Sequence, residues 1–186
     1  MNILFISVYF IWLLSEILLN RLLHSKATDR KNADKNSLSI LWITIMASVF
    51  IAVYISMRFY LPIFKNYKFE YIGIAIILIG MVLRFIAINS LGKFFTVDVT
   101  IRQNHALKKD GIYKYLRHPS YFASVLSFIG MGISLNNWVS LLLITVAIIT
   151  VFIIRIRVEE KVLIEQFGPE YLEYKKKTSG FIPFIY

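Results

Sequence analysis

The stretch PSYFASVLSFIGMGISLNNWVSLLLITVAIITVFIIRIRV, residues 119–158, holds two apolar runs, 119–135 and 138–158, joined only by Asn136-Asn137. Each run approaches the roughly 20 apolar residues that a membrane span requires. A two-residue connection leaves one geometry, an antiparallel helical hairpin. Working outward, residues 69–91 form a third apolar run with Arg84 inside it, and residues 38–61 a fourth, stopped by Pro62. Residues 2–23 form the fifth, apolar apart from Asn2, Glu16 and Asn20. It has no basic residue before it and no small-residue cleavage site after it, so it reads as a retained helix rather than a signal peptide.

Composition agrees with this pattern. Of 186 residues, 58% are hydrophobic and 17% charged, against roughly 45–50% and about 25% in soluble domains. Mean hydropathy is +0.65. These values exclude an ordinary soluble globular domain and leave too few residues for a separate water-soluble one. The expected fold is all-α: a polytopic membrane helix bundle of about five transmembrane helices in a single domain, residues 1–186. It contains the hairpin over 119–158, a polar loop over 92–118 and a cytoplasmic helical tail over 159–186.

The net charge of +10 sorts by loop. No basic residue precedes the first run, and the Asn136-Asn137 turn has none. The loop after the first run carries Lys26, Arg30, Lys31 and Lys35, the loop after the second carries Lys65 and Lys68, the loop at 92–118 carries six basic residues, and the tail carries Lys161, Lys175, Lys176 and Lys177. By the positive-inside rule the N-terminus lies outside and the C-terminus in the cytoplasm. The charge is therefore topological rather than a nucleic-acid footprint. Cysteine is absent, which removes thiolate metal sites and cysteine nucleophiles. His24, His105 and His118 are scattered, and no nucleotide-binding glycine loop or zincin motif is present, so no metal is expected.

Two polar constellations remain. In Gly111-Ile112-Tyr113-Lys114-Tyr115-Leu116-Arg117-His118-Pro119-Ser120-Tyr121, the X-Pro step at a span start is expected to fix His118 in an extended conformation, with Pro119 in the first turn and free N–H groups at the helix start. Such an end attracts anions, and with Arg117, His118, Ser120 and the tyrosines it suits the carboxylate or phosphate of a cofactor. The plainer reading is a snorkelling arginine, an interfacial tyrosine belt and a simple helix start. In Arg155-Ile156-Arg157-Val158-Glu159-Glu160, helical spacing lets Arg155 pair with Glu159 and Arg157 with Glu160. This block either marks the interface or places Arg155 at an anionic substrate group and Glu159 at a cofactor hydroxyl or amine. Arg84 is open between ligand and structural pair, and Glu16 has no nameable partner. The segment from Phe167-Gly168-Pro169 through Tyr171 and Tyr174 reads as a helix break with packed aromatics, and Ile182-Pro183-Phe184-Ile185 as an apolar end that docks back.

In order and spacing, these elements resemble the signature of the isoprenylcysteine carboxyl methyltransferase family. The matching residues are His105-Ala106-Leu107, Gly111 with Tyr113, Arg117-His118-Pro119-Ser120-Tyr121, Arg155-Ile156 with Glu159-Glu160, Phe167-Gly168 with Tyr171 and Tyr174, and Ile182-Pro183-Phe184-Ile185. The match covers about the C-terminal half. It implies S-adenosylmethionine as cofactor, surrounded by His105, Leu107, Tyr113, His118, Pro119, Ser120, Tyr121 and Glu159, with Ala106 included through its backbone. It implies Arg155 at the substrate carboxylate, Arg155 and Glu159 as the catalytic pair, and a lipophilic substrate from the bilayer as partner. Lys108 and Phe122-Ala123-Ser124 depart from the family pattern, the latter bearing on the lipid entrance.

The implied chemistry is an in-line attack by an ionised carboxylate on an activated sulfonium methyl, for which alignment and desolvation are the main requirements. A phospholipid amine or another small apolar molecule is an alternative acceptor. In another class, NADPH-dependent membrane sterol reductases share an Arg-His-Pro-x-Tyr element, but the Arg155 to Glu160 block and the Ile-Pro-Phe-Ile ending discriminate against them. A non-enzymatic membrane interaction protein has no reason to gather polar residues at one mouth.

Overall fold

A computed structural model describes residues 3–22, 36–66, 68, 70–101 and 106–181. Six helices follow in order: α1 (Ile3–Leu22), α2 (Ser37–Arg58), α3 (Glu70–Leu91), α4 (Pro119–Ser134), α5 (Trp138–Phe167) and α6 (Pro169–Lys177). Short 3-10 turns cover Gly92–Phe94 and Gly111–Lys114. Among the described residues no strand forms; Leu116 and Ser179 pair in an isolated parallel bridge, and Ile101 is a further bridge residue. The helices containing α2, α3 and α5 are long and apolar enough to cross a membrane, while α1 and α4 are shorter apolar helices.

Contacts between helices follow from residue size and polarity. α3 packs most extensively on α4, and α2 on α5. The α3–α4 approach is backbone to backbone: a Cβ on Gly130 would fall 2.7 Å from the Gly73 carbonyl oxygen and 2.8 Å from the Ile77 nitrogen. In a bilayer, where apolar surface gains little from leaving lipid, close approach of small residues supplies the packing energy. Eleven of the sixteen residues of α4 are buried. A helix walled by protein need not match the hydrocarbon thickness by itself, which is why sixteen residues suffice.

The Asn-Asn turn has more structure than its polarity implies. Asn136 adopts a left-handed conformation (φ 49°), and its Oδ1 accepts from the backbone N–H groups of Ile63 (3.0 Å) and Phe64 (2.8 Å). Asn137 caps α5 by accepting from Ser140 N–H (3.1 Å), and its amide donates to the Phe59 carbonyl (2.7 Å). Two asparagines thus hold the hairpin tip onto the segment after α2.

The structure differs from expectation at the end of α5. The helix continues past Val158 to Phe167 and so takes in the first part of the segment expected as tail, with Glu159 and Glu160 on the same rigid element as Arg155, as their helical spacing implies. No residue between them breaks a helix. The stop comes at Gly168, whose φ of 52° favours glycine, and Pro169 starts α6. After α6 the chain turns back beside residues 115–118: Arg117 N–H donates to Ser179 O (2.9 Å) and His118 N–H to Gly180 O (3.0 Å). These bonds hold His118 at φ −122°, ψ 59° instead of the extended conformation expected before proline. Phe181 is buried in the core; Ile182-Pro183-Phe184-Ile185 lie outside the described residues.

Candidate functional site

Two pairs of contacts bring the polar ends of the helices to one mouth. Ser140 Oγ on α5 donates to the Ala52 carbonyl of α2 (2.7 Å), while at the other end Arg155 Nη1 donates to Ser37 Oγ (2.6 Å). Likewise α1 meets α4 through Tyr9 and Ser134 at one end and reaches it through Glu16 and Arg84 at the other. The mouth therefore gathers Glu16, Ser37, Arg84, Ser120 and Arg155.

A cavity of about 280 Å³ opens there. Its apolar limb is lined by Trp12, Leu13, Ile45, Met46, Phe128 and Met131 from α1, α2 and α4. Its other limb is lined by Tyr113, His118, Tyr121, Glu159, Tyr171 and Tyr174. Arg155 lines the cavity although only 1% exposed. Its Nη2 donates to the Val97 carbonyl, so α2 and the loop after α3 together fix the guanidinium.

An aromatic stack forms one wall. His118 and Tyr121 lie with ring centroids 5.6 Å apart, and Tyr121 and Phe152 5.0 Å apart. Tyr121 Oη donates to Glu159 Oε2 (2.8 Å), and His118 Nδ1 lies 3.7 Å from the same oxygen. Behind this wall Glu160 accepts from Arg117 Nε (2.8 Å) and from Lys175 Nζ; Arg157, its expected helical partner, is exposed. Arg117 also donates to the carbonyls of Lys175 (3.1 Å) and Thr178, which ties α6 to the start of α4.

Tyr113 Oη donates to the Ala87 carbonyl (3.2 Å) and Tyr174 Oη to the Tyr113 carbonyl (2.5 Å). Burial raises the Tyr113 hydroxyl well above the usual phenol range, with the Glu159 charge adding to it. Burial likewise pushes Tyr174 up to about 12, the Arg117 charge opposing it. Both are neutral donors at any physiological pH.

Of the residues singled out from sequence, Leu107, Tyr113, His118, Pro119, Ser120, Tyr121, Arg155 and Glu159 line this one cavity. Ala106, beside Leu107 in the chain, is exposed, and His105 lies outside the described residues. Sequence reasoning missed three contributors. The segment 97–101 lines the cavity and is buried at Val99, Thr100 and Ile101; its signal was the alternation of β-branched residues at 97, 99 and 101 inside a polar loop. The walls from α1 and α2 had no signal beyond hydropathy. Glu16 and Arg84, left apart in the sequence, are each other's partner: Arg84 Nη2 donates to Glu16 Oε2 (2.9 Å) and Nε lies 2.7 Å from Oε1.

The family model described as phospholipid methyltransferase matches residues 69–170, more than half of the chain. The chain belongs to the phospholipid methyltransferase family. Curated relatives include the protein-S-isoprenylcysteine O-methyltransferase of Saccharomyces cerevisiae, 40% identical over 116 residues that cover 61% of this chain and 48% of that protein. A probable protein-S-isoprenylcysteine O-methyltransferase of Oryza sativa subsp. indica is 34% identical over 127 residues, 67% of this chain and 66% of the relative. Among solved structures, that of the eukaryotic intramembrane Ras methyltransferase ICMT, an isoprenylcysteine carboxyl methyltransferase, superposes with a TM-score of 0.61 at 29% identity. The alignment covers 84% of this chain and 55% of that one. The chain thus spans about half to two thirds of the length of these curated relatives. The phospholipid methyltransferase match and the membrane fold of the neighbour make this an integral membrane protein. The family match takes in α3 to the start of α6 and so Arg84, Arg117, His118, Arg155 and Glu159; α1 and α2, which wall the apolar limb, lie outside it.

Proposed function

We propose that this protein transfers a methyl group from S-adenosylmethionine to the carboxylate of a lipophilic acceptor from the bilayer, an S-isoprenylated cysteine at a protein C-terminus. The observation that carries this reading is a single cavity whose lining combines a buried arginine, Arg155, with apolar side chains of α1, α2 and α4 and with the polar and aromatic side chains of Tyr113, His118, Tyr121, Glu159, Tyr171 and Tyr174. The relatives named for isoprenylcysteine support the same acceptor.

The donor set suits the cofactor. The Tyr171 hydroxyl is buried near Glu160 in a side chain that lines the cavity, and Glu159 offers a carboxylate for hydroxyl or amine groups. Leu107, Tyr113, His118, Pro119, Ser120, Tyr121 and Glu159 are the residues that would hold it, and the family resemblance adds His105 and Ala106. Bound there, S-adenosylmethionine supplies an activated methyl group on a sulfonium.

The protein's own part is alignment. Arg155 is a planar fork whose geometry fits a carboxylate, and its bonds to Ser37 and Val97 hold that fork at one position. An ionised acceptor carboxylate needs no general base. Arg155 holds it in line, and the closed aromatic wall of His118, Tyr121 and Phe152 excludes water that would otherwise solvate the nucleophile. The apolar limb accommodates the lipid chain of the acceptor.

The expected result with detergent-purified protein is a rise in thermal midpoint with S-adenosylhomocysteine and none with NADPH. Stabilisation by NADPH alone overturns the methyltransferase reading. The loop charges support an N-terminus outside and a mouth facing the cytoplasm. A reporter fused after Tyr186 is expected to give a cytoplasmic signal, and a signal from the opposite face reverses the orientation.

A further inference from the structure

We propose that Arg84 is a positioning residue for the methyl-transfer site, acting through Ser120; this rests on the function proposed above. Arg84 stands on α3, and its side chain and that of Glu16 are 14% and 18% exposed. Both line the cavity together with Ser120 and Ser124. While one edge of the guanidinium faces Glu16 on α1, Nη1 donates to Ser120 Oγ (2.8 Å), Ser124 Oγ (2.7 Å) and the Ser120 carbonyl (3.2 Å). Ser124 Oγ in turn donates to that carbonyl (3.1 Å).

A tether for α1 requires only the carboxylate contact. α1 is already held to its neighbours by Trp12 edge-on to Phe128 (4.8 Å) and Phe5 against Tyr71 (5.3 Å). The remaining donors of Arg84 instead converge on the first two turns of α4, on the residue between Pro119 and Tyr121. A cation there is opposed by the partial positive charge of the helix start, and a desolvated ion pair adds little stability over an apolar pair of the same volume. What an apolar pair cannot do is fix the Ser120 hydroxyl and carbonyl, and through them the rotation of the turn that carries His118 to Tyr121. Glu16 supplies the countercharge that lets Arg84 occupy this position.

Lysine at position 84 keeps the charge and reaches Glu16, but a single ammonium cannot also satisfy three oxygens on α4. The test compares Arg84→Lys, Glu16→Gln and Arg84→Lys/Ser124→Ala in the full chain, using calorimetric titration with S-adenosylhomocysteine, thermal midpoints and steady-state kinetics. Arg84→Lys is expected to weaken binding about tenfold and to lower kcat, with the KM for the lipid acceptor within about twofold, as misplacement of a site by a fraction of an ångström does. Glu16→Gln is expected to lower the midpoint with a much smaller change in affinity. The double variant is expected to bind no more weakly than Arg84→Lys, since both substitutions remove one network. If Arg84→Lys binds S-adenosylhomocysteine as the wild type does and only its midpoint falls, Arg84 is a tether and the inference is overturned. If the wild type itself fails to bind, the proposed function falls first and takes this inference with it.

Discussion

Arg155→Ala is expected to reduce kcat/KM for methyl transfer by about 10³-fold, roughly 4 kcal/mol of transition-state stabilisation, while the dissociation constant for S-adenosylhomocysteine changes by less than about threefold. The reason is where the side chain stands. Arg155 is 1% exposed and is held by Ser37 from α2 and by the Val97 carbonyl, with the Tyr121 hydroxyl also within its reach, whereas His118 and Glu159 of the cofactor limb make their contacts with Tyr121. Removing the fork takes away the alignment of the acceptor carboxylate without dismantling that limb. The truncation also leaves the Ser37 hydroxyl and the Val97 carbonyl short of a donor, at about 1–3 kcal/mol for buried groups. Thermal midpoint is therefore measured alongside. Arg155→Lys, which retains charge and part of the anchoring, is expected to fall between the two. Loss of cofactor-product affinity in Arg155→Ala with an intact fold would assign Arg155 to the cofactor and not to the acceptor.

Glu160→Ala is expected to be the most destabilising single change at the mouth. Glu160 and Arg117 are 7% and 6% exposed in their side chains and 2.8 Å apart, and Lys175 meets the other oxygen of Glu160. Deleting the carboxylate leaves the Arg117 cation buried without its countercharge, for which about 3–5 kcal/mol is the usual loss. In a chain of this size that corresponds to a fall of about 10 °C in thermal midpoint. Because Arg117 also holds the carbonyls of Lys175 and Thr178, α6 and the returning segment at 179–181 should loosen together. Limited trypsin digestion at Lys175, Lys176 and Lys177 is expected to accelerate in parallel. A midpoint change under about 2 °C would show that the pair contributes no more than an exposed salt bridge.

How far the sequence could be read differs from residue to residue. The hairpin was legible because only one geometry joins two apolar runs through Asn136-Asn137, and the break at Gly168-Pro169 because glycine and proline have specific backbone preferences. The motif positions from Leu107 to Tyr121 were legible as a cluster because they are close in the chain. The partner of Glu16 was not legible: Arg84 lies sixty-eight residues away, and nothing local to either residue encodes which helices become neighbours. The same holds for Glu160, whose local spacing pointed to Arg157 while the fold delivers Arg117 and Lys175. Helical periodicity places two charges on one face, but a tertiary contact with better-desolvated geometry takes precedence over an exposed i,i+3 pair.

The sequence by itself determined an all-α membrane bundle and the composition of its polar mouth, because hydropathy, breakers and loop charge act locally and survive without knowledge of packing. Only the tertiary structure decided that the mouth continues into an apolar limb lined by α1, α2 and α4, and that the charges within the bundle find partners on distant helices. Those outcomes depend on which helix faces meet. That choice is made by close backbone approach at Gly73 and Gly130, by the clamps of Asn136 and Asn137, and by the need of each desolvated charge for a partner.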